Sequence, residues 1–461
     1  LPFASTITNL FYAWRNDPSI NPRAAADSLA ALQDTIEQLK DRLDGEQAES
    51  SAERVVAYRA AGAVEDLQAN LKEWYEFYDG YHPEFTWWAS EPYKNAHESL
   101  ETYRTFLRQE VVGVPAGTDD PLIGDPIGAE ALKQELRYEM IPYSPKELIA
   151  IAENELAWGK AQMKKAAREM GYGEDWQAAL REVKTRHVEP GEQPTLAQDL
   201  ADGAVSFLRE RNLVTIPSMA DEVWRMEMLS PEWQRIAPYF LGGEVVRVAF
   251  PAKEMSHENK LMSIRGNNRH FSRAVVHHEL IPGHHLQGFM TDRYNAHRNL
   301  FSTPFWGEGW ALYWEMLLWE LDFPRSPEDR IGMLFWRNHR AARIIFSLRF
   351  HLGEMSAQEA VDFLVQEVGH ERANAEAEVR RSIIGTYPPL YQAAYMLGGL
   401  QFRSLHEELV ENGEMSNRTF HDRILKGGRM PVEMVRARLH GTLLPKDYTS
   451  DWRFYTPPQD E

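Results

Sequence analysis

The chain has 461 residues, 43% hydrophobic and 26% charged, and 50 basic against 69 acidic side chains leave a formal net charge of −19. A summed field of that sign argues against nucleic acid as the main partner, because phosphate binding needs a basic patch. Cysteine is absent, which excludes disulfides, thiolate ligands and a cysteine nucleophile, so any metal must be held by His, Asp or Glu.

In chain order the pattern is overwhelmingly helical. AAADSLAALQDTIEQLKDRL (24–43) and SPKELIAIAENELAWGKAQMKKAAREMGYG (144–173) carry apolar residues at three- and four-residue spacing. Ser144-Pro145-Lys146-Glu147 supplies an N-cap serine, a proline at the first helical position and a glutamate three residues after the serine. Ser326-Pro327-Glu328-Asp329 and Ser356-Ala357-Gln358-Glu359 repeat that logic, while Gly171, Gly173 and Gly369 read as stops. VGVPAGTDDPLIGDPIG (112–128) reads as a connecting loop that sets off an N-terminal helical lobe. GGEVVRVAFPAKEMSHENKLMSIRG (242–266) begins β-branched and turns polar, which predicts a short hairpin with strands near 244–250 and 260–265. That hairpin either presents an edge to an extended substrate or only braces the histidine-rich helix downstream of it. No apolar run approaches the roughly 18 residues of a membrane span, so none is expected.

HHELIPGHHLQ (277–287) then packs four histidines and a glutamate into eleven positions. It nearly spells HExxH, the helical zinc signature whose histidines stand four residues apart on one face. In a straight helix His278 and His284 would lie about 240° apart around the axis. His278 and His285 would share a face, but about 10 Å apart along it, too far for one ion. Pro282 lacks an N–H for the carbonyl of His278 and its ring clashes with that carbonyl. Gly283 tolerates unusual backbone angles. Together they predict a bulge or wide turn over 280–284 that returns His284 to the face of His278. His278 and His284 are then candidate ligands, with His285 and His277 as supporting or structural residues. The alternative is a set of histidines that cap helix ends beside a Pro-Gly turn.

WGEGWALYWEMLLWELD (306–322) supplies a third ligand candidate. Glu308 and Glu315 stand seven residues apart, hence on one face of a helix otherwise lined by Trp, Leu and Met. Glu308 as ligand and Glu315 as the group that orients a histidine would explain two carboxylates on so apolar a face. Plain pairing with Arg or Lys would explain them too. Glu279 becomes the general base for a metal-activated water. The oxyanion stabiliser and proton donor are sought in RRSIIGTYPPLYQAAYMLGG (380–399), which offers Arg381, Tyr391 and Tyr395 beside Arg380 and Tyr387. Arg343 and His351 are weaker candidates, and core packing is the competing role for any one tyrosine.

HELIPGHHLQ (278–287) followed by EGWALYWE (308–315) resembles the HExxPGHHxQ and EGWALYxE motifs of family 885 of the bacterial domains of unknown function. Softer matches include PIGAEALKQEL (126–136), RAARIIFSLRFH (340–351) and AYMLGG (394–399). The resemblance implies a mostly helical, zinc-metallopeptidase-like fold similar to Taq-type carboxypeptidases, with zinc in a deep cleft. By motif position it implies His278, His284 and Glu308 as ligands and Glu279 as base. The family pattern has Asp and Gly where this chain has Ser347 and Arg349, and Pro-Gly-Gln-Ala where it has Pro389-Leu390-Tyr391-Gln392.

The expected architecture is a mainly α fold, one helical domain over 1–461 with a hairpin beside the site. Its N-terminal lobe is expected at about 1–120 and its catalytic body at about 121–461, the two lobes flanking a deep cleft. The expected function is zinc-dependent hydrolysis of peptide bonds, with a carboxypeptidase-like mode as one form of it and one Zn²⁺ per chain. The rivals are a zinc amidohydrolase acting on a small non-peptide amide and a non-catalytic helical binding protein. Localisation stays open between the bacterial cytoplasm and export, as does the oligomeric state.

Overall fold

The computed structural model describes residues 1–44, 51–118, 121–234, 239, 242–385 and 387–458, and they are mainly helical with one two-stranded sheet. The chain divides into two compact units, Leu1–Asp125 and Pro126–Glu461, a division that falls inside the loop-like 112–128 stretch.

In the first unit the helices Ala4–Asn16, Pro22–Leu43, Ser51–Tyr78 and Pro83–Phe106 enclose a core that includes Phe3, Ile7, Leu29, Leu71, Trp74 and Phe85. The starts are chemically marked. Asn21 accepts from the backbone of Ala24 and His82 from that of Phe85, each followed by proline at the first helical position.

The second unit is organised by two helices of 25 residues, Pro145–Glu169 and Pro327–His351, which pack on each other. Ser144 and Glu147 form the reciprocal capping box that their spacing predicts, and Ser356 with Glu359 forms another. Ser326 caps through the backbone of Asp329. No helix among the described residues is long and apolar enough to cross a membrane.

The expected hairpin needs correction. The strand near 244–250 exists as β2 (Val245–Val248), but its partner is β1 (Arg225–Met228), upstream and parallel. Residues 260–265 instead belong to the helix His257–Gly266, because Ser256 accepts from the backbone of Asn259 and so starts a helix where a strand was expected. Strand and helix share the length of a short apolar run, and the cap decides between them.

The closest helix pair in this unit is Pro304–Glu320 against Tyr391–His406. The first is apolar on nearly every side, as befits a helix with no wet face. The two backbones meet at glycine. A Cβ on Gly309 would stand 2.5 Å from the Cα of Gly398, and one on Gly398 would stand 2.2 Å from the carbonyl oxygen of Phe305. Either methyl would force the helices apart. Gly398→Ala is therefore expected to cost about 1–3 kcal/mol or more, the range for overpacking. Gly203→Ala, at a half-buried position of the Gln193–Glu210 helix with open space where the Cβ would go, should stabilise by about 0.5–1 kcal/mol. Urea midpoints compared at unchanged slope check both signs.

Candidate metal centre

The histidine segment is two helices rather than one bulged helix. Arg269–Glu279 starts at Asn268, whose side chain accepts from the backbones of His270 and Phe271 at 3.0 Å each, and it stops at Glu279. His284–Thr291 starts directly after the Pro-Gly pair. Between them Leu280 sits at φ −105°, ψ −104° and Gly283 at φ −77°, ψ −133°, and the Ile281–Pro282 peptide is cis. Departure from helix over 280–283 is what the Pro-Gly pair predicts, though the interruption is complete. The turn is held by the Gly283 N–H donating to the His277 carbonyl (3.0 Å) and by the Leu286 N–H donating to that of Leu280 (3.2 Å). A Cβ at 283 would fall 1.7 Å from the His278 carbonyl oxygen, so no other residue fits there without moving the backbone.

The Pro304–Glu320 helix fastens both halves. Trp310 donates its indole N–H to the Pro282 carbonyl at 2.9 Å, and Gln287 donates to the Trp306 carbonyl at 3.0 Å. The result puts the rings of His278 and His284 4.9 Å apart and nearly perpendicular. Glu308 Oε2 lies 3.1 Å from His284 Nε2 and 3.5 Å from His278 Nε2. One ligand atom from each residue lies within 4.8 Å of the others, so the three could hold one metal ion. Two imidazoles and one carboxylate are a donor set of the kind that holds a divalent metal ion.

Behind His278 stands Glu315, whose Oε1 lies 2.7 Å from Nδ1 of that ring. This leaves Nε2 facing Glu308 and fixes which nitrogen is available to a metal. Glu315 also accepts from Arg340 at 3.2 Å, so the histidine-orienting reading and the ion-pair reading meet on one carboxylate. Burial works against its ionisation, yet Arg340 and His278 hold it down at about 2. The same contest runs at Glu308, where burial is outweighed by His284 and His278 and the carboxyl falls well below its usual range. Burial opposes charge on His284 as well, but the Glu308 carboxylate raises it to about 9.

Glu279 is the exception among these acids. Burial pushes its carboxyl up, against the pull of His278 and His284, and a carboxyl raised in this way can take up a proton. Gly242 lies against it, where a Cβ would stand 2.1 Å from Glu279 Oε2. Glu279 and the three candidate ligands line a pocket of about 220 Å³, together with Gly242, Tyr239, Trp336, Arg340, Arg343, Arg381, Tyr387, Tyr391 and Tyr395.

The other expected residues sort by position. Tyr391 donates to Glu308 Oε1 through a short hydrogen bond, and Tyr395 lays its ring near-parallel to His278 at 6.1 Å. Burial pushes both phenols up, so both stay protonated. Arg381 is in the pocket wall, whereas Arg380 and His351 are not. His285 points away from the centre and lies 2.6 Å from the Ala220 carbonyl oxygen, which makes it structural. His277 is buried against the edge of Phe323, and burial holds it neutral, at about 3. Arg340, Glu378, Tyr239 and Gly242 do not stand out in the sequence. RAARIIFSLRFH is visible there only as a motif, and nothing in its spacing tells which arginine meets Glu315.

Comparison with families matches residues 4–439 to the model described as "Bacterial protein of unknown function (DUF885)". No curated protein matches the chain. Among solved structures, a candidate lipoprotein of unknown function from Shewanella oneidensis aligns with a TM-score of 0.65 at 16% identity, covering 95% of this chain and 87% of that one. A candidate lipoprotein from Colwellia psychrerythraea aligns with a TM-score of 0.62 at 18% identity, covering 90% and 75%. At these identities the likeness is one of fold.

Zinc uptake by purified protein, read by metal analysis and chelator competition, is expected at one ion per chain. His284→Ala should abolish it, and Glu315→Gln should weaken affinity about 10–100-fold by freeing the His278 ring. Undiminished affinity in both variants would remove the centre described here.

Proposed function

The chain belongs to this bacterial DUF885 family, and from the geometry of its centre we propose that it is a zinc-dependent hydrolase of peptide bonds. The observation that carries the reading is the convergence of His278, His284 and Glu308 beside a half-buried glutamate, Glu279, in one pocket. His278, His284 and Glu308 would hold the metal. Zinc, when bound, supplies a Lewis acid and lowers the pKa of water towards 7.

The protein groups have separable tasks. Glu279 takes the proton from the attacking water, and its raised affinity for a proton suits it to pass that proton on to the leaving amine. Water thereby adds its oxygen to the carbonyl carbon, the C–N bond breaks, and the amine leaves with the proton. Tyr391 holds the second oxygen of Glu308, as Glu315 holds the second nitrogen of His278. Tyr395, which lines the pocket and stays protonated across the neutral range, would donate to the developing oxyanion.

A pocket of about 220 Å³ lies below the roughly 300–1,000 Å³ of drug-sized sites, which favours short peptides over long ones. It also keeps a small non-peptide amide in view as the second substrate class. Profiling the zinc-loaded protein on a short-peptide library and on simple acyl amides separates the two. Glu279→Gln is expected to keep its zinc and lose about 10²–10⁴-fold in kcat. Tyr395→Phe is expected to lose about 10²–10³-fold in kcat with little change in KM. Full hydrolysis by Glu279→Gln would overturn the assigned base.

A further inference from the structure

The two oxygens of Glu308 have different partners. Oε2 faces both imidazoles, 3.1 Å from His284 Nε2 and 3.5 Å from His278 Nε2. Oε1 accepts a short hydrogen bond from the Tyr391 phenol. A hydroxyl that donates to an ionised carboxylate makes one of the stronger hydrogen bonds a protein offers. A phenol carries a single O–H, so the Tyr391 proton is engaged by Glu308 and is not free for an oxyanion. That moves Tyr391 out of the group of candidate oxyanion donors and onto the metal centre itself.

The backbone decides which phenol reaches Glu308. Tyr391 opens the helix Tyr391–His406, and its N–H donates to the Pro388 carbonyl at 2.9 Å. Two turns further on, Gly398 lies against the Phe305 carbonyl and the Cα of Gly309, the residue after Glu308. That contact sets the distance between the helix that carries the phenol and the helix that carries the carboxylate. Tyr387 holds the phenol from the side, its ring 4.3 Å from that of Tyr391, and Arg381 stands 4.8 Å from the Tyr387 ring. Tyr395, one turn along from Tyr391, meets His278 instead.

A carboxylate can ligate a cation through one oxygen or through both. Zinc held by three protein donors keeps a fourth position for water or substrate, and a second oxygen from the same carboxylate competes for that position. Cations such as manganese suit sites with more oxygen donors. We propose that Tyr391 is a positioning residue that confines Glu308 to ligation through Oε2, which keeps the fourth position for water and favours zinc over manganese. This rests on the metal centre behind the hydrolase reading and on no step of bond cleavage.

The test loads cobalt(II), whose visible absorption is intense in four-coordinate sites and several-fold weaker in five- and six-coordinate ones. Wild-type protein is expected to give the intense band. Tyr391→Phe keeps the ring and removes the donor. It should still bind cobalt, with a band several-fold weaker. Chelator competition with zinc and manganese should show its preference for zinc reduced by about 10-fold, the lower end of what losing such a partner does. An unchanged band with an unchanged preference would overturn the proposal. A weak band in the wild type would overturn it too, and that measurement needs no variant to fold. Equal loss of affinity for both metals with the band unmoved would also overturn it, since general support of a ligand has that effect. The outcomes separate this role from the hydrolase reading. An intense band that Tyr391→Phe weakens, in a protein that cuts no peptide, sustains the role of Tyr391 and sinks the hydrolase. Peptide hydrolysis with a band that Tyr391→Phe leaves unmoved does the reverse, and no cobalt uptake by the wild type removes both.

Discussion

The imidazole of His278 is gripped between two carboxylates that come from one apolar helix. Glu315 meets Nδ1 at 2.7 Å and Glu308 approaches Nε2 at 3.5 Å. The two acids stand two helical turns apart, about 10.5 Å of rise, and the imidazole fills the interval. Neither carboxylate is tolerable in such surroundings without a partner, since burying an ionised group unpaired is prohibitive. The histidine therefore solves a problem for the helix, and the helix fixes the ring's rotation and its free nitrogen. Everything else at the centre is arranged around that ring: His284 is set perpendicular to it, Tyr395 lies parallel to it, and Arg340 stands behind Glu315.

Holding one ring to that tolerance needs rigid backbones, and the close contacts supply them. The break at 280–283 is tied by Trp310 to the same helix that carries Glu308 and Glu315. That helix is in turn pressed at Gly309 against Gly398 of the helix that carries Tyr391 and Tyr395. Candidate ligands, the carboxylate that orients one of them and the phenols thus sit on elements tied either by the Trp310 indole or by the glycine-to-glycine backbone contact. A bulged single helix would have kept His284 on the same rod as His278. The complete break instead lets the second helix swing, so that His284 and not His285 enters the pocket, while His285 anchors to the Ala220 carbonyl.

Much of this was legible in the sequence because the governing rules are local. A serine cap with glutamate three residues on, a proline inside a helical run and two acids seven apart on an apolar face each carry their geometry with them. His278, His284, Glu308 and Glu315 were found in that way. What was missed depends on contacts between distant segments. The partner of β2 lies upstream and runs parallel, which no turn signal between adjacent strands announces. The role of Ser256 as a cap outranked the β-like pattern of residues 260–265. Arg340 and Glu378 take their meaning from partners on other helices, and the choice among neighbouring arginines is made by helix packing. Tyr391 and Tyr395 share one face by their spacing, but only the packed structure sets one on Glu308 and the other on His278.

The overall charge of −19 misleads about the pocket. At the histidine end Glu279, Glu308 and Glu315 are drawn around two histidines. At the other end the Arg343 and Arg381 guanidiniums stand against Glu378. Tyr395 divides them, its ring between His278 and Arg343. A net charge describes a surface averaged over many screened side chains. Inside a pocket of this size, each charge acts on its neighbour with little water between, so the order of charges along the wall decides what can enter and which way round. The acidic total and the arginine-lined wall are therefore compatible.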